Sequence, residues 1–342
     1  MLWLTWRQFR AGAIAAGAAL LALVATLTIT RHGLLSLYAD SRLPGCRASC
    51  AAAASNFIDS AQNSYVEKIF YGGVAVLYLA PALIGLFWGA PLIAREFEHG
   101  TFRLAWNQSV TRGRWAASKL ILVGCAAMLT AGLISLLIGW WAGPVYQAAG
   151  RLSANSLSIN KLAPPLFGTT GIVPLGYAAF AFALGTAAGL VLRRTLPAMA
   201  VTLVVFAAIQ VLVPVLVRPH LIPPLRSTQP MTSVQFGGEG IGRGNQLFLQ
   251  VVGVDGLPGD WITGTRVVTA AGRTATTAPA ECASLTDDFV SCLGRHGIKV
   301  VVSYQPASRY WALQSAETAM YLVVAGALGG FCYWRVRRLA TA

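Results

Sequence analysis

The sequence predicts an all-α transmembrane bundle of six helices, with a small extracellular α+β module between the fifth and sixth spans. Three observations predict it. Hydrophobic residues make up 56% of the 342-residue chain and charged residues only 11%, against about a quarter for soluble domains. Apolar runs of the length that crosses a bilayer's hydrocarbon core, about 20 residues, recur six times. A polar stretch between the fifth and sixth runs, 218–309, is long enough to fold on its own.

The six runs are Ala11–Ile29, Ile69–Ala94, Lys119–Ala142, Gly171–Leu192, Leu196–Val217 and Tyr310–Trp334. The first begins with the basic WRQFR, as a signal peptide would, but its apolar run exceeds a usual signal core and more spans follow, so it reads as an uncleaved helix. The domains are then 1–217, holding spans 1 to 5 with a connector at 95–118; the module, 218–309; and 310–342, the last span with a basic tail.

Orientation follows from where the cations crowd the helix ends. Arg7 and Arg10, the Arg95 to Lys119 connector, Arg193 and Arg194, and Arg335, Arg337 and Arg338 all fall on one side if the N-terminus is cytoplasmic. Basic residues on the other side are spread over long loops, which count little in this bias. Both termini are therefore expected in the cytoplasm, with the chain in the cell membrane. The same bias accounts for a net charge of +14. Nucleic acid is not an expected partner, because the basic residues form no stripe interleaved with aromatics.

Within 218–309, Leu247–Val252 and Ile298–Tyr304 read as strands bounded by Gly, Pro and Asp turn signals. Cys46, Cys50, Cys282 and Cys292 fall in segments placed outside, where disulfides persist, while Cys125 and Cys332 fall in spans. Four cysteines allow three pairings; short loop closure favours Cys46 with Cys50 and Cys282 with Cys292. No metal site is expected, since there is no Cys-x-x-Cys and no histidine at ligand spacing.

Several chemistries are absent from the sequence. No G-x-x-x-x-G-K-[ST] loop is present to cradle phosphates. Neither G-x-S-x-G nor His-Glu-x-x-His occurs, and His32, His99, His220 and His296 lie in different segments, so no catalytic residues are expected. The span interiors lack the acids and bases that proton- or ion-coupled carriers keep there. Glu317, about two helical turns into the last span, comes closest; it is read either as snorkelling or bonded to a neighbouring helix, or as gating the path.

Gly85 and Gly89, Gly185 and Gly189, and Gly326 and Gly330 have the small-x-x-x-small spacing of close helix contacts, within the chain or between subunits. Pro81, Pro91, Pro197 and Pro214 predict kinks.

The connector AREFEHGTFRLAWNQSVTRGRW, 94–115, is the most polar interruption of the bundle. Ala94 to Phe97 extend the second helix, and Gly100 is placed to end it in a left-handed conformation. Thr101 reads as the N-cap of a short surface helix with Leu104, Ala105 and Trp106 on its apolar side. Arg112, Arg114 and Lys119 suit lipid phosphates. Such an element either anchors the bundle at the surface or docks a cytoplasmic partner, for which Glu96 and Glu98, read as exposed, offer directional contacts.

Arg95-Glu96-Phe97-Glu98-His99-Gly100-Thr101, then Ser109-Val110-Thr111-Arg112 and Ser118-Lys119-Leu120, resembles the Glu-x-Gly-Thr and Ser-Arg…Gly-Lys-Leu pattern after the second span of ABC-2 type transporter permeases. The layout, with a large outer loop before the last helix, is similar over nearly the whole chain. The actinobacterial subunits that carry this loop share Tyr304-Gln305-Pro306-Ala307-Ser308-Arg309 before the last span. Ser109 stands where a proline is common and Ser118 where a glycine is common.

The resemblance implies a permease subunit of an exporter. Two such subunits, here an expected homodimer, form the path, and two copies of a separate ATPase, which binds ATP and Mg, dock on the connectors. It implies coupling roles for Glu96, Glu98, His99, Gly100, Thr101 and Arg112, and no cofactor in this chain. A path poor in fixed charge suits an amphipathic or apolar cargo. The rival from another class is a non-transporting membrane protein that anchors the outer module as a sensor or assembly factor.

Overall fold

The computed structural model describes residues 2–47, 50–100, 111–152, 159–162, 164–241, 246–254, 259–282 and 289–338. Among the described residues, six helices are long and apolar enough to cross a membrane: Phe9–Asp40, Tyr65–Glu98, Arg112–Ala149, Val173–Leu192, Thr195–Leu221 and Ala307–Arg338. These are spans 1 to 6. Most outrun the apolar runs that predict them, because hydropathy reports contact with lipid whereas a helix continues until a cap stops it. Thr111 supplies such a cap for span 3, its hydroxyl accepting from the Arg114 N–H at 3.4 Å. Ser64 does the same for span 2 through the Val66 N–H at 3.2 Å.

An additional helix, Ala51–Gln62, occupies what the sequence suggests is loop. It buries Ala54, Phe57, Ile58 and Ala61 in a cluster with Leu27 and Leu34 of span 1 and Ile138 and Trp141 of span 3. The Cys46–Cys50 disulfide closes just before it, with a Cα separation of 5.8 Å.

Spans 2 and 5 each contain a π-helical turn, at Gly85–Gly89 and Val213–Val217. Pro91 follows the first turn and Pro214 lies inside the second. A proline has no N–H for the helical ladder, and one extra residue in the turn accommodates the gap. The kinks expected at these prolines thus take the form of widened turns.

Span 4 is the hub, with buried residues on every side of the helix. Its Gly185 meets Gly85 and Gly89 in the widened turn of span 2, and its Gly189 meets Ala90 just after that turn. A methyl group on Gly89 would sit 2.6 Å from the Phe182 carbonyl oxygen, and one on Gly185 would collide with the Gly85 carbonyl. These two glycine pairs serve packing within the chain. Gly326 and Gly330 do not, since a methyl group on either would meet nothing within 4 Å.

Between spans 5 and 6 lies the strand-containing module. Its strands are β1 (Leu225–Pro230), β2 (Val234–Ile241), β3 (Leu247–Val254), β4 (Trp261–Val268) and β5 (Lys299–Gln305). β3 and β5 are the two legible in the sequence. The others are hidden by polar or glycine-rich composition, as in LRSTQP and VQFGGEGI. An antiparallel sheet has the order β1-β5-β4, and β2 and β3 form a separate ribbon. β5 alternates: Val300 and Val302 enter a core with Met231, Leu293 and Ile298, leaving Lys299, Val301 and Ser303 on the other face.

The Cys282–Cys292 disulfide lies in that core, with a Cα separation of 5.7 Å, so both bridges follow the short-loop pairing. Contrary to the expectation that no histidine sits at ligand spacing, one does. His296 follows Cys292 by one helical turn, and its ring lies within 4.8 Å of both sulfurs. The disulfide occupies both sulfurs, and His296 faces Glu281 at 3.3 Å.

Candidate functional site

The bundle's charged residues gather at its two ends. At the module end, span 5 continues through its widened turn into a last helical turn that carries Arg218. The sequence places Arg218 as the first residue of an exposed loop; it is instead wholly buried. Its Nε donates to Glu317 Oε2 at 2.7 Å and its Nη2 to Glu317 Oε1 at 3.0 Å. Tyr177 of span 4 donates to the same Oε1 at 2.9 Å and accepts from Arg218 Nη2 at 3.4 Å.

The guanidinium carbon lies 4.5 Å from the Phe167 ring centroid, a distance at which the ring's quadrupole attracts a cation. Gln314, one turn before Glu317, accepts from the Ile172 and Val173 N–H groups at 3.0 and 3.1 Å and donates to the Phe167 carbonyl at 3.1 Å. Tyr78 of span 2 donates to the Pro165 carbonyl at 2.6 Å. Four spans and the loop before span 4 thus converge on one buried ion pair. Glu317 is neither snorkelling nor alone, and its partner is a residue that sequence spacing could not supply.

The pair is not fully satisfied. Among the described residues, Arg218 Nη1, Thr318 Oγ1 and Tyr321 OH are buried without a hydrogen-bond partner. An unmet donor in so dry a place raises the energy of this arrangement relative to one in which water or a ligand reaches it.

The connector end is built differently. Glu96 is turned inward, 9% exposed, and its Oε1 accepts from Lys119 Nζ of span 3, itself 2% exposed. Lys119 also lies 4.7 Å from the Trp115 ring centroid. The expectation that Glu96 is an exposed acid is therefore overturned. Span 2 presents Glu96 on the face that buries Ile93, beside the cluster of Trp115, Ala116, Ala187 and Val336, and a carboxylate there requires a cation.

Glu98 lies on the opposite face and is exposed, as expected. Its Oε2 accepts from Thr195 Oγ1 at 2.6 Å and from the Thr195 N–H at 3.3 Å. Thr195 opens span 5, so Glu98 satisfies an otherwise orphaned N–H there and places a negative charge at the positive end of that helix. Between the two acids, the Phe97 ring lies 5.7 Å from the guanidinium of Arg193, the left-handed residue that ends span 4.

His99 is exposed and its Nδ1 approaches the Arg95 carbonyl at 2.9 Å. Gly100 ends span 2 with φ at +70°, the left-handed conformation expected of it. Arg112 is the first residue of span 3. Thr101 and the surface helix expected around Leu104, Ala105 and Trp106 lie outside the described residues.

Residues 17–218, which hold spans 1 to 5 and the connector, match a model of the family described as ABC-2 membrane transporter related. The chain belongs to that family. No curated protein and no solved structure matches it. The match covers spans 1 to 5 and ends on Arg218, so the module and span 6, with Glu317, lie beyond the shared part. As a member of the ABC-2 related family the chain is a multi-pass transporter permease, and association with an ATPase and dimerisation are general to such permeases.

Proposed function

We propose that this chain is the membrane-spanning subunit of an ATP-driven exporter. Two copies of a separate ATPase would dock at the connector, and a second, identical permease subunit would complete the path. ATP and Mg belong to the ATPase, and this chain's part is mechanical. The observation that carries the reading is the double attachment of the connector, through Glu96 to span 3 and through Glu98 to span 5. A push at His99 would reach both spans through these two contacts. In this scheme His99, Gly100, Thr101 and Arg112 form the contact surface. Glu98 holds the connector to span 5, and Glu96 is a positioning residue that holds its shape.

At the far end the same motion would act on Arg218 of span 5 against Glu317 of span 6. Separating a buried pair is costly unless water or cargo replaces each partner, so the pair is a barrier that ATP-driven movement overcomes. Glu317 is thereby a gating residue. Between these two charged ends the spans are poor in fixed charge, which suits an amphipathic or apolar cargo. The crowding of arginines at the connector end supports a cell-membrane protein with both termini in the cytoplasm.

Affinity purification of the full chain in mild detergent tests the scheme. An ATPase should copurify in equal stoichiometry, and a cysteine at His99 should cross-link to it. Recovery of the wild-type chain without any ATPase overturns the reading in favour of a non-transporting anchor for the module.

A further inference from the structure

The module's disulfide shares its place with a third metal-ligating group. Cys292 sits on the helix Phe289–Arg295, and His296 follows it by four residues, the spacing that puts two side chains on one helical face. The end of that helix fixes the histidine. Its N–H donates to the Cys292 carbonyl at 3.2 Å, and Gly297 then turns the chain with φ at +69°. Cys282 arrives from a turn that its own N–H closes on the Pro279 carbonyl at 3.0 Å. A ring nitrogen of His296 and both sulfurs thereby lie within 4.8 Å of one another.

The bonding of the ring singles His296 out. His99 and His220 both direct Nδ1 at the carbonyl four residues before, at 2.9 and 3.0 Å. Among the described residues His296 has no such contact, and its charged partner there is Glu281, 3.3 Å from Nε2. A carboxylate beside the ring is how proteins orient a metal-binding histidine.

The surroundings suit an ion as well. Cys282 and Cys292 are buried, 0% and 4% exposed, among Met231, Phe289, Leu293 and Ile298, while the His296 side chain keeps 38% of its surface open. An ion thus has an entrance on the histidine side and an apolar wall behind the sulfurs. Two sulfurs and an imidazole select a thiophilic divalent ion, zinc first among them. Zinc holds such ligands at about 2.0–2.3 Å, hence about 3.5–3.8 Å from each other, so side-chain rotations suffice to seat it. The Cys46–Cys50 pair has no third ligand of this kind among the described residues.

We propose that Cys282, Cys292 and His296 bind a zinc ion whenever the two cysteines are thiols, with Glu281 orienting the ring and water in the fourth position. Each thiol gives its proton to water and each thiolate a lone pair to the ion, so no electron is transferred. Cysteines leave synthesis as thiols and join only in an oxidising compartment; the site therefore belongs to the module before its disulfide forms. The proposal concerns the module alone and does not rest on the exporter reading.

Cobalt(II), whose visible bands report tetrahedral thiolate ligation, tests it on the full chain in detergent with Cys46→Ser and Cys50→Ser. After reduction by a dithiol and its anaerobic removal, cobalt should give those bands. A stoichiometric amount of zinc should abolish them, magnesium should not, and the oxidised chain should give none. Glu281→Gln should weaken zinc binding about tenfold, and His296→Ala more, while the oxidised forms of both stay close to the parent's unfolding midpoint. Absence of the bands from the reduced parent overturns the site. So do bands of equal strength in Cys282→Ser with Cys292→Ser, or an unchanged zinc affinity in His296→Ala.

Discussion

Arg218–Glu317 and Lys119–Glu96 are both buried ion pairs between spans, yet they are built for different tasks. The first joins spans 5 and 6 through a two-pronged guanidinium, with Tyr177 of span 4 as a third donor and no exposure of either side chain. The second joins spans 2 and 3 through one ammonium contact beside the Trp115 ring, and the Glu96 side chain keeps 11% of its surface exposed. A planar fork holds a carboxylate in one orientation, whereas an ammonium on a flexible stem tolerates rotation. The guanidinium pair is thus held in one orientation and the ammonium pair allows rotation; in the proposed scheme the first is a closure and the second a pivot.

The comparison predicts a ranking of effects. Removing Arg218 alone, as Arg218→Leu, should cost about 3–5 kcal/mol, because it strands a buried carboxylate. Thermal unfolding in detergent should show this, and Arg218→Leu with Glu317→Leu should recover much of the loss. If the single variant is as stable as wild type, the closure is not a dry ion pair. Lys119→Met should cost less, about 2–3 kcal/mol, since Glu96 can turn towards water. An equal or greater cost would reverse the assignment of closure and pivot.

Between the ends, Gly185→Ala should destabilise by about 1–3 kcal/mol through forced separation of spans 2 and 4; a neutral result would show that the glycine contact yields easily. Thr195→Val and Glu98→Gln should have the smallest effect on stability, because their contact is exposed. They should nevertheless lower ATPase activity stimulated by the permease, relative to the ATPase alone. Unchanged stimulation would show that span 5 is not driven through Glu98.

The six spans and the ends of the connector were legible because lipid demands long apolar runs and because Gly100 suits a left-handed stop. The two disulfides were legible from loop length. Glu96 was misjudged because a connector rich in charge reads as a solvated surface. Its inward face shows only when Ile93 and Lys119 are brought beside it by the pairing of spans 2 and 3. Arg218 escaped for the opposite reason: at the edge of an apolar run it looks like a cation at a membrane boundary.

Likewise Glu98 could be expected to be exposed, but not to bond Thr195, which lies across two further spans. Three of the five strands were hidden because β1, β2 and β4 draw their pairing from neighbours rather than from their own alternation.

What the sequence determined by itself was therefore everything that depends on one segment and its solvent: which runs enter lipid, where a glycine stops a helix and which cysteines close short loops. Tertiary structure alone decided which charges are partners. The interaction of Arg218 with Glu317 joins residues far apart in the chain, and its strength comes from a dry surrounding that no single segment creates.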